Sequence, residues 1–265
     1  CAAGLDQRIP TLCYRQGSAP DGGCGLCLVQ VTEKEQPAAS ATVVRACATP
    51  ARAAIDVLTQ TAEIRASRRS TLRLMCSELS PQAANQSYGG GQSAGEFWRL
   101  LREYDAWPAA SATCSKTDGN ADTDSNTHTN IDSRHPYLRF NPDLCITCRR
   151  CLHTCEDLQG QFVFGIGDRG AATHLLIGAG DSFAASDCVA CGACVEECPT
   201  GALFDVDRMP DSPLAQELRA IRSTCGYCGV GCGIEVMVAE DRIVRIDGAA
   251  GSPVNHGHLC AKGRY

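Results

Sequence analysis

Cysteine carries the chemistry of this chain: 19 of its 265 positions hold one. Sixteen of them fall into four groups of four: Cys13, Cys24, Cys27 and Cys47; Cys145, Cys148, Cys151 and Cys155; Cys188, Cys191, Cys194 and Cys198; Cys225, Cys228, Cys232 and Cys260. Neighbours in these groups mostly stand two or three residues apart on one tight loop, which suits ligands better than disulfides between separate elements. The total is odd, and residues 1–10 show no basic start followed by a long apolar run, so nothing points to an oxidising compartment. Thiolates at short fixed offsets are ligands for soft metals, either zinc or iron with sulfide. With only 6 Phe, 6 Tyr and 2 Trp, the chain is poor in core-forming aromatics, and small domains make up for that with metals. A net charge of −6 without a basic stripe excludes a nucleic-acid surface. No run of 18 apolar residues encodes a membrane span. The expectation is a soluble, reduced, cytoplasmic, metal-rich protein.

The middle of the chain is the most specific. Cys145, Cys148, Cys151 and Cys155 follow C-x2-C-x2-C-x3-C, and Cys188, Cys191, Cys194 and Cys198 repeat it with Pro199 directly after. This is the pattern of bacterial two-cluster ferredoxins. Three thiolates on one loop cap three irons of a cubane, and the fourth iron must be met from elsewhere. The expected ligand sets therefore cross over. Cys145, Cys148, Cys151 and Cys198 take one 4Fe–4S cluster; Cys188, Cys191, Cys194 and Cys155 take the second. Gly192 and Ala193 are small enough to let the second loop wrap closely. Two zinc sites would instead want paired CxxC. Glu156 stands where the first run would often carry Pro.

The first group spans C-x10-C-x2-C-x19-C: Cys13, Cys24, Cys27 and Cys47, with Gly17, Gly22, Gly23 and Gly25 in the loop. A plant-type 2Fe–2S site has a loop cysteine, a nearby CxxC and a distant fourth cysteine; here the first gap is stretched. A zinc ribbon is the competing reading. The string IPTLCYRQGSAPDGGCGLCLVQV…RACATP resembles the 2Fe–2S domain of complex I large subunits and of related dehydrogenases and hydrogenases. That resemblance implies a β-grasp fold whose opening hairpin is missing here, so the N-terminus reads as truncated. It also implies a following His-ligated 4Fe–4S cluster. Leu79 stands where that His is expected and no cysteine follows until Cys114, so this cluster is expected to be absent. Cys76 then reads as a buried thiol on an apolar helix face and Cys114 as a free one, while His128 and His135 read as solvated. Ser67-Arg68-Arg69 has the look of a twin-arginine export signal, but it lies deep in the chain with no suitable apolar segment after it.

The last group, Cys225, Cys228, Cys232 and Cys260, is embedded in TCGYCGVGCGIEV…HGHLCAKGRY. A four-thiolate zinc site fits the spacing. The residues between the ligands resemble the opening of the catalytic domain of molybdenum or tungsten enzymes with a bis-pterin guanine dinucleotide cofactor, and CGYCGVGC resembles formate dehydrogenases in particular. The resemblance implies a third 4Fe–4S cluster on these four cysteines. It also implies a role for Lys262, in C-x-K-G, as an electron relay between cluster and pterin. The catalytic Cys or selenocysteine of that family lies further downstream, so the C-terminus too reads as a cut edge.

The order of the four groups resembles the N-terminal part of the alpha subunit of NAD-dependent, molybdenum-containing formate dehydrogenases. It implies one 2Fe–2S and three 4Fe–4S clusters, no catalytic residue within the chain, and a flavin- and NAD-binding diaphorase-type partner with iron–sulfur centres of its own. Two other readings stay open: a stand-alone multi-cluster electron carrier, and a segment of another complex I-related molybdopterin oxidoreductase.

These ligands need elements to hold them, and the expected fold class is α+β. A partial β-grasp domain occupies 1–53, starting inside a helix at residues 1–7. A helical spacer at 54–107 carries Leu72, Met75, Cys76 and Leu79 as one apolar stripe. A flexible linker at 108–134 holds 17 Ser, Thr, Asn, Asp or Gly among the 23 residues of 111–133. Its acidic residues do not make a calcium loop, because Thr123 and Thr129 stand where Gly and Glu are required. A tandem ferredoxin-type domain follows at 135–208, then the opening of the pterin-type domain at 221–265. In that last stretch Ile234, Val236 and Val238 alternate, Glu240-Asp241 turns, and Val244 and Ile246 alternate, which predicts a hairpin.

Overall fold

The alternation at Leu28–Glu33 produces the central strand of the first sheet. In a computed structural model of the chain, which describes residues 9–15, 18–34, 41–52, 54–77, 79, 93–107, 131–179, 182–206 and 218–265, β1 (Leu28–Glu33) lies between β2 (Thr42–Arg45) and β3 (Ile55–Leu58). Both pairings are antiparallel, with Val29 opposite Val44 and Val31 opposite Val57. The sheet thus runs past the boundary drawn at residue 53: β3 belongs to it rather than to a helical spacer. The helix expected at 1–7 and the linker core with Cys114 and His128 lie outside the described residues.

Two compact units divide the chain. The first comprises Cys1–Pro81, Glu96–Thr117 and Cys148–Arg150; the second Gln82–Gly95, Asp118–Thr147 and Cys151–Tyr265. In the first, α1 (Ala62–Ser77) starts where the Thr61 hydroxyl accepts the Ile64 N–H at 3.2 Å, a side-chain cap on an otherwise unpaired donor. It buries Ile64, Arg68, Leu72 and Cys76, spaced four apart on one face, with Leu79 buried just beyond its end. Cys76 is thus a buried thiol, as the apolar stripe predicts. In α2 (Glu96–Glu103), Phe97, Leu100 and Leu101 form the buried stripe and the Arg99–Glu103 pair lies on the outer face.

In the second unit β4 (Leu138–Phe140) pairs with β7 (Leu203–Asp205), and β5 (Phe164–Gly167) with β6 (His174–Ile177). Two short helices, α3 (Arg150–His153) and α4 (Ala193–Glu197), carry cysteines, and α3 runs directly into a π-turn at Thr154–Leu158. The closing sheet has the order β10-β9-β8, with β8 at Arg219–Thr224, β9 at Gly233–Ala239 and β10 at Arg242–Gly248. The β9–β10 hairpin lies where the alternation puts it. Glu240 and Asp241 both adopt positive φ, 47° and 60°, the two left-handed residues that a two-residue hairpin loop requires. A short α5 (Ala261–Arg264) ends the chain. Among the described residues no helix is long and apolar enough to cross a membrane.

His135 is not solvated. It is 5% exposed and packs 4.8 Å from the Phe183 ring, and its Nδ1 accepts the N–H groups of Tyr137 and Leu138. Burial, together with the Arg139 cation and against the pull of Asp132, holds its pKa below the ordinary 6.5. The folded chain therefore keeps this imidazole neutral while the unfolded chain takes up a proton below 6.5. Above 6.5 the group leaves stability unchanged; as pH falls from there toward the depressed value, stability is lost. The urea midpoint of the second unit is expected to drop between about pH 7.5 and about pH 5.5, less so in His135→Asn. Equal drops in both proteins would remove His135 as the cause.

Candidate metal centres

Four thiols meet at the edge of the first sheet. Cys13 lies on the loop before β1, Cys24 and Cys27 lead into that strand, and Cys47 follows β2 on a single 3-10 turn. They come as two pairs. Cys27 Sγ stands 3.2 Å from Cys47 Sγ, and Cys13 shares a hydrogen bond with Cys24. That hydrogen bond, with the N–H groups of Leu12 and Leu26, holds the Cys24 thiol down at about 5, ready to act as a thiolate. Cys47 is pushed up to about 11, first by burial and then by Cys27 beside it. Leu12 N–H points at Cys24 Sγ over 3.4 Å. Gly25 has φ +67°, a left-handed conformation that a side chain would strain in the turn between Cys24 and Cys27. Two pairs of thiolates, one per iron, with backbone N–H groups aimed at sulfur, is the donor set a 2Fe–2S group takes.

The loop is braced by arginines within the same unit. Arg150 is 5% exposed; it pairs with Glu96 at 2.7 Å and donates to the carbonyls of Thr11 and Tyr14, on either side of Cys13. Arg68, fully buried in α1, donates to Leu26 O at 2.9 Å, Leu28 O at 2.7 Å, Thr59 O at 3.0 Å and the Tyr104 hydroxyl at 2.9 Å. It fixes the backbone on both sides of Cys27. Sequence reasoning passed over Arg150 and weighed Arg68 only as part of a twin-arginine look-alike. A cation interrupting an apolar face at four-residue spacing is the signal that would have found Arg68.

The two tandem loops share one backbone device. Thr147 and Arg149 in the first, and Ala190 and Gly192 in the second, all have positive φ, between 50° and 70°. These are the second and fourth residues after the leading cysteine of each run. Left-handed residues alternating along a loop turn successive N–H groups toward its concave side, which favours anionic sulfur there. Ala190 N–H lies 3.4 Å from Cys188 Sγ. One cavity, about 320 Å³ counting its open mouth, is lined by Cys155, Cys188, Cys191 and Cys194 together with Leu138, Val163 and Phe164. Cys155 reaches it from the π-turn. Burial pushes all four of these thiols above their ordinary range, and the fields of Cys188 and Cys191 add to this at Cys155 and Cys194. An apolar pocket of four thiols suits a charge-delocalised cubane better than four separate thiolates. Of the remaining tandem cysteines, Cys145 follows the turn at Pro142–Leu144, Cys151 lies in α3, and Cys198 caps α4 beside the Thr200 hydroxyl at 3.6 Å. Cys148 falls in the segment assigned to the first unit.

The last group is organised by the closing sheet. Cys225 N–H donates to Cys232 O at 2.8 Å, closing the loop between β8 and β9. Cys232 feels burial first and then the thiols of Cys225, Cys228 and Cys260, all of which raise its pKa. Asn255 brings the chain back to Cys260. Its Oδ1 accepts Gly233 N–H at 2.8 Å, and its Nδ2 donates to Gly233 O and to His258 O. Gly263 packs against Cys225, where a Cβ would stand 3.5 Å from Sγ. Lys262 Nζ lies over the exposed Tyr227 ring, 5.7 Å from its centroid. Among the described residues no three His, Cys, Asp or Glu side chains are drawn together around a single ion.

Comparison with known proteins gives the same order of modules. Residues 1–62 match the 2Fe-2S iron-sulfur cluster binding domain, 137–199 the 4Fe-4S dicluster domain, and 218–265 the molybdopterin oxidoreductase Fe4S4 domain. The chain thus carries iron–sulfur domains of both the 2Fe–2S and the 4Fe–4S kind. It is 26% identical over its whole length to the alpha subunit of an NADPH-Fe(3+) oxidoreductase from Geobacter sulfurreducens, and 28% identical over 98% of its length to one component of an NADH-quinone oxidoreductase from Rhizobium meliloti. A Staphylococcus haemolyticus protein assigned by name as a formate dehydrogenase is 22% identical over 98% of the chain. In each case the chain spans 28% of the relative's length. A chain in the crystal structure of an NAD+-reducing [NiFe]-hydrogenase shares its fold, with a TM-score of 0.59, 22% identity and coverage of 82% of this chain and 83% of that one.

Proposed function

We propose that this chain is the electron-relay segment of a formate dehydrogenase that works with an NAD-reducing, diaphorase-type partner. The observation that carries the relay is the gathering of Cys155 with Cys188, Cys191 and Cys194 around one cavity, in a chain that also pairs the thiols of Cys13, Cys24, Cys27 and Cys47. The remaining sets are Cys145, Cys148, Cys151 and Cys198, and Cys225, Cys228, Cys232 and Cys260. When bound, one 2Fe–2S and three 4Fe–4S groups supply one-electron steps. The chain's own residues hold the thiolates, aim N–H groups at sulfur and line the cavity at Cys155 with apolar side chains. Lys262 stands beside Cys260 as the residue that would face a molybdenum or tungsten pterin in the complete enzyme. The higher identity to the NADPH-Fe(3+) oxidoreductase and quinone oxidoreductase relatives favours, as second reading, a segment of another NAD(P)-linked oxidoreductase with the same relay.

Metal analysis tests the relay. About 14 iron and 14 acid-labile sulfide per chain are expected from one two-iron and three four-iron groups. The purified chain should be brown, bleach with dithionite and pass those electrons to a dye, with no formate-dependent dye reduction of its own. Stoichiometric zinc with little sulfide would replace the relay by a structural zinc protein. Formate-driven reduction of the clusters in the complete enzyme separates the two oxidoreductase readings.

A further inference from the structure

Arg264 lies four residues beyond Cys260 and is buried to 2% side-chain exposure. Two carboxylates from the tandem domain hold it: Nη2 stands 2.7 Å from Glu196 Oε1 and 2.6 Å from Asp205 Oδ2, and Nε stands 3.4 Å from Asp205 Oδ1. The Tyr265 hydroxyl donates to Asp205 Oδ1 at 2.6 Å, and its ring stacks on Tyr137 with centroids 4.3 Å apart. These contacts fix the plane of the guanidinium. The third arm, Nη1, is buried and has no hydrogen-bond partner among the described residues. Its surroundings are the second cysteine loop. A Cβ on Gly192 would stand 2.8 Å from Arg264 Cζ, so the guanidinium rests directly on the backbone between Cys191 and Cys194. The Arg264 charge acts on the Cys191 thiol, and the Asp205 charge on that of Cys194.

A planar cation with two arms tied and one donor left over is arranged for an anionic acceptor at that third arm. Gly192, on which the guanidinium rests, lines the same cavity as Cys155, Cys188, Cys191 and Cys194, which places thiol sulfurs around this loop. We propose that Arg264 sets the reduction potential of the 4Fe–4S group held by Cys188, Cys191, Cys194 and Cys155, its Nη1–H donating to one of the sulfurs of that group. This rests on the relay reading above. Reduction adds negative charge, and a cation with an N–H aimed at sulfur stabilises the reduced state more than the oxidised one, raising the potential. Glu196 and Asp205 serve as positioning residues. Cys260 also acts on Cys191, so the arginine stands beside a group that feels the last cysteine set. It therefore biases which of the two groups holds the electron.

The test uses the 265-residue chain, labelled with 15N-arginine, after its iron and sulfide have been counted. The signal of this group is identified by its loss in Cys194→Ala. In the native chain, pulsed EPR of the reduced group should show an arginine nitrogen coupling. In Arg264→Gln the ratio of reduced to oxidised group at a fixed potential should fall about tenfold, a lowering of about 59 mV, while the 2Fe–2S ratio stays put. Arg264→Lys keeps the charge but not the fork, and should lose the coupling with a smaller fall. Native chain without the coupling overturns the proposal, as does either loaded variant with an unchanged ratio. If Arg264→Gln fails to load its clusters, the native coupling and the lysine variant decide. A native chain holding zinc instead of iron sinks the relay reading and the assignment of Arg264 with it, whereas an iron-loaded chain without the coupling sinks the assignment alone.

Discussion

Cys155→Ser is expected to remove the cluster of the other loop, not of its own. Iron should fall from about 14 to about 10 per chain, since a four-iron group that loses a buried thiolate loses its closure. The missing signal should match the one lost in Cys194→Ser and differ from the one lost in Cys145→Ser. The physical reason lies in the π-turn. Residues 154–158 widen the helix that starts at Arg150, which delivers the Cys155 side chain to the cavity lined by Cys188, Cys191 and Cys194. Such local widening of a helix is a recurrent way to re-aim a functional side chain. Besides its thiols and the two glutamines Gln159 and Gln161, the cavity is lined by apolar side chains such as Leu138, Val163 and Phe164, none of which can replace a lost thiolate. A spectrum of Cys155→Ser that coincides with that of Cys145→Ser would reverse the assignment and uncross the two ligand sets.

How legible this was depends on whether a feature is local. The ligand groups are local: offsets of two and three residues write a loop directly into the sequence. The β9–β10 hairpin is local too, since alternating Val and Ile flank two residues able to take positive φ. Strand β8 was not readable, because all six of its residues are exposed and no apolar alternation marks it. Strand β3 is four residues of mixed character whose only structural reason is its pairing with β1. The buried cations were hidden for the same reason. Arg68, Arg150 and Arg264 answer carbonyls and carboxylates that lie far away in sequence, up to 139 residues for Arg150 and Thr11. Charge in a sequence reads as surface until its partners are known. His135 misled in the same way: a lone histidine beside a polar linker gives no sign that Phe183 will cover it.

Replacing Arg68 by Met should destabilise the first unit by about 3–5 kcal/mol, the cost of leaving buried polar groups without their partner. Three carbonyls, of Leu26, Leu28 and Thr59, lose the arginine donor at once, and the Tyr104 hydroxyl is left with Gln60 Nε2 at 3.3 Å. Met fills the volume, so the loss measures the polar network rather than a cavity. Arg68→Lys should fare only a little better. A single ammonium cannot reach three carbonyls spread over residues 26–59 and a hydroxyl on residue 104 with a fixed planar fork's geometry. Because Leu26 and Leu28 bracket Cys27, both variants should also lose 2Fe–2S absorption at denaturant concentrations where the native chain keeps it, while the 4Fe–4S groups of the second unit persist. Arg65→Met is the comparison: Arg65 is exposed on the same helix, donates to Gln60 at 3.4 Å and lies 5.2 Å over the Tyr104 ring, so its removal should cost no more than about 1 kcal/mol. Denaturant titration followed at the 2Fe–2S band decides the matter. An Arg68→Lys chain within about 1 kcal/mol of native stability would mean that the carbonyls around Cys27 find other donors, and that Arg68 is not what holds the loop.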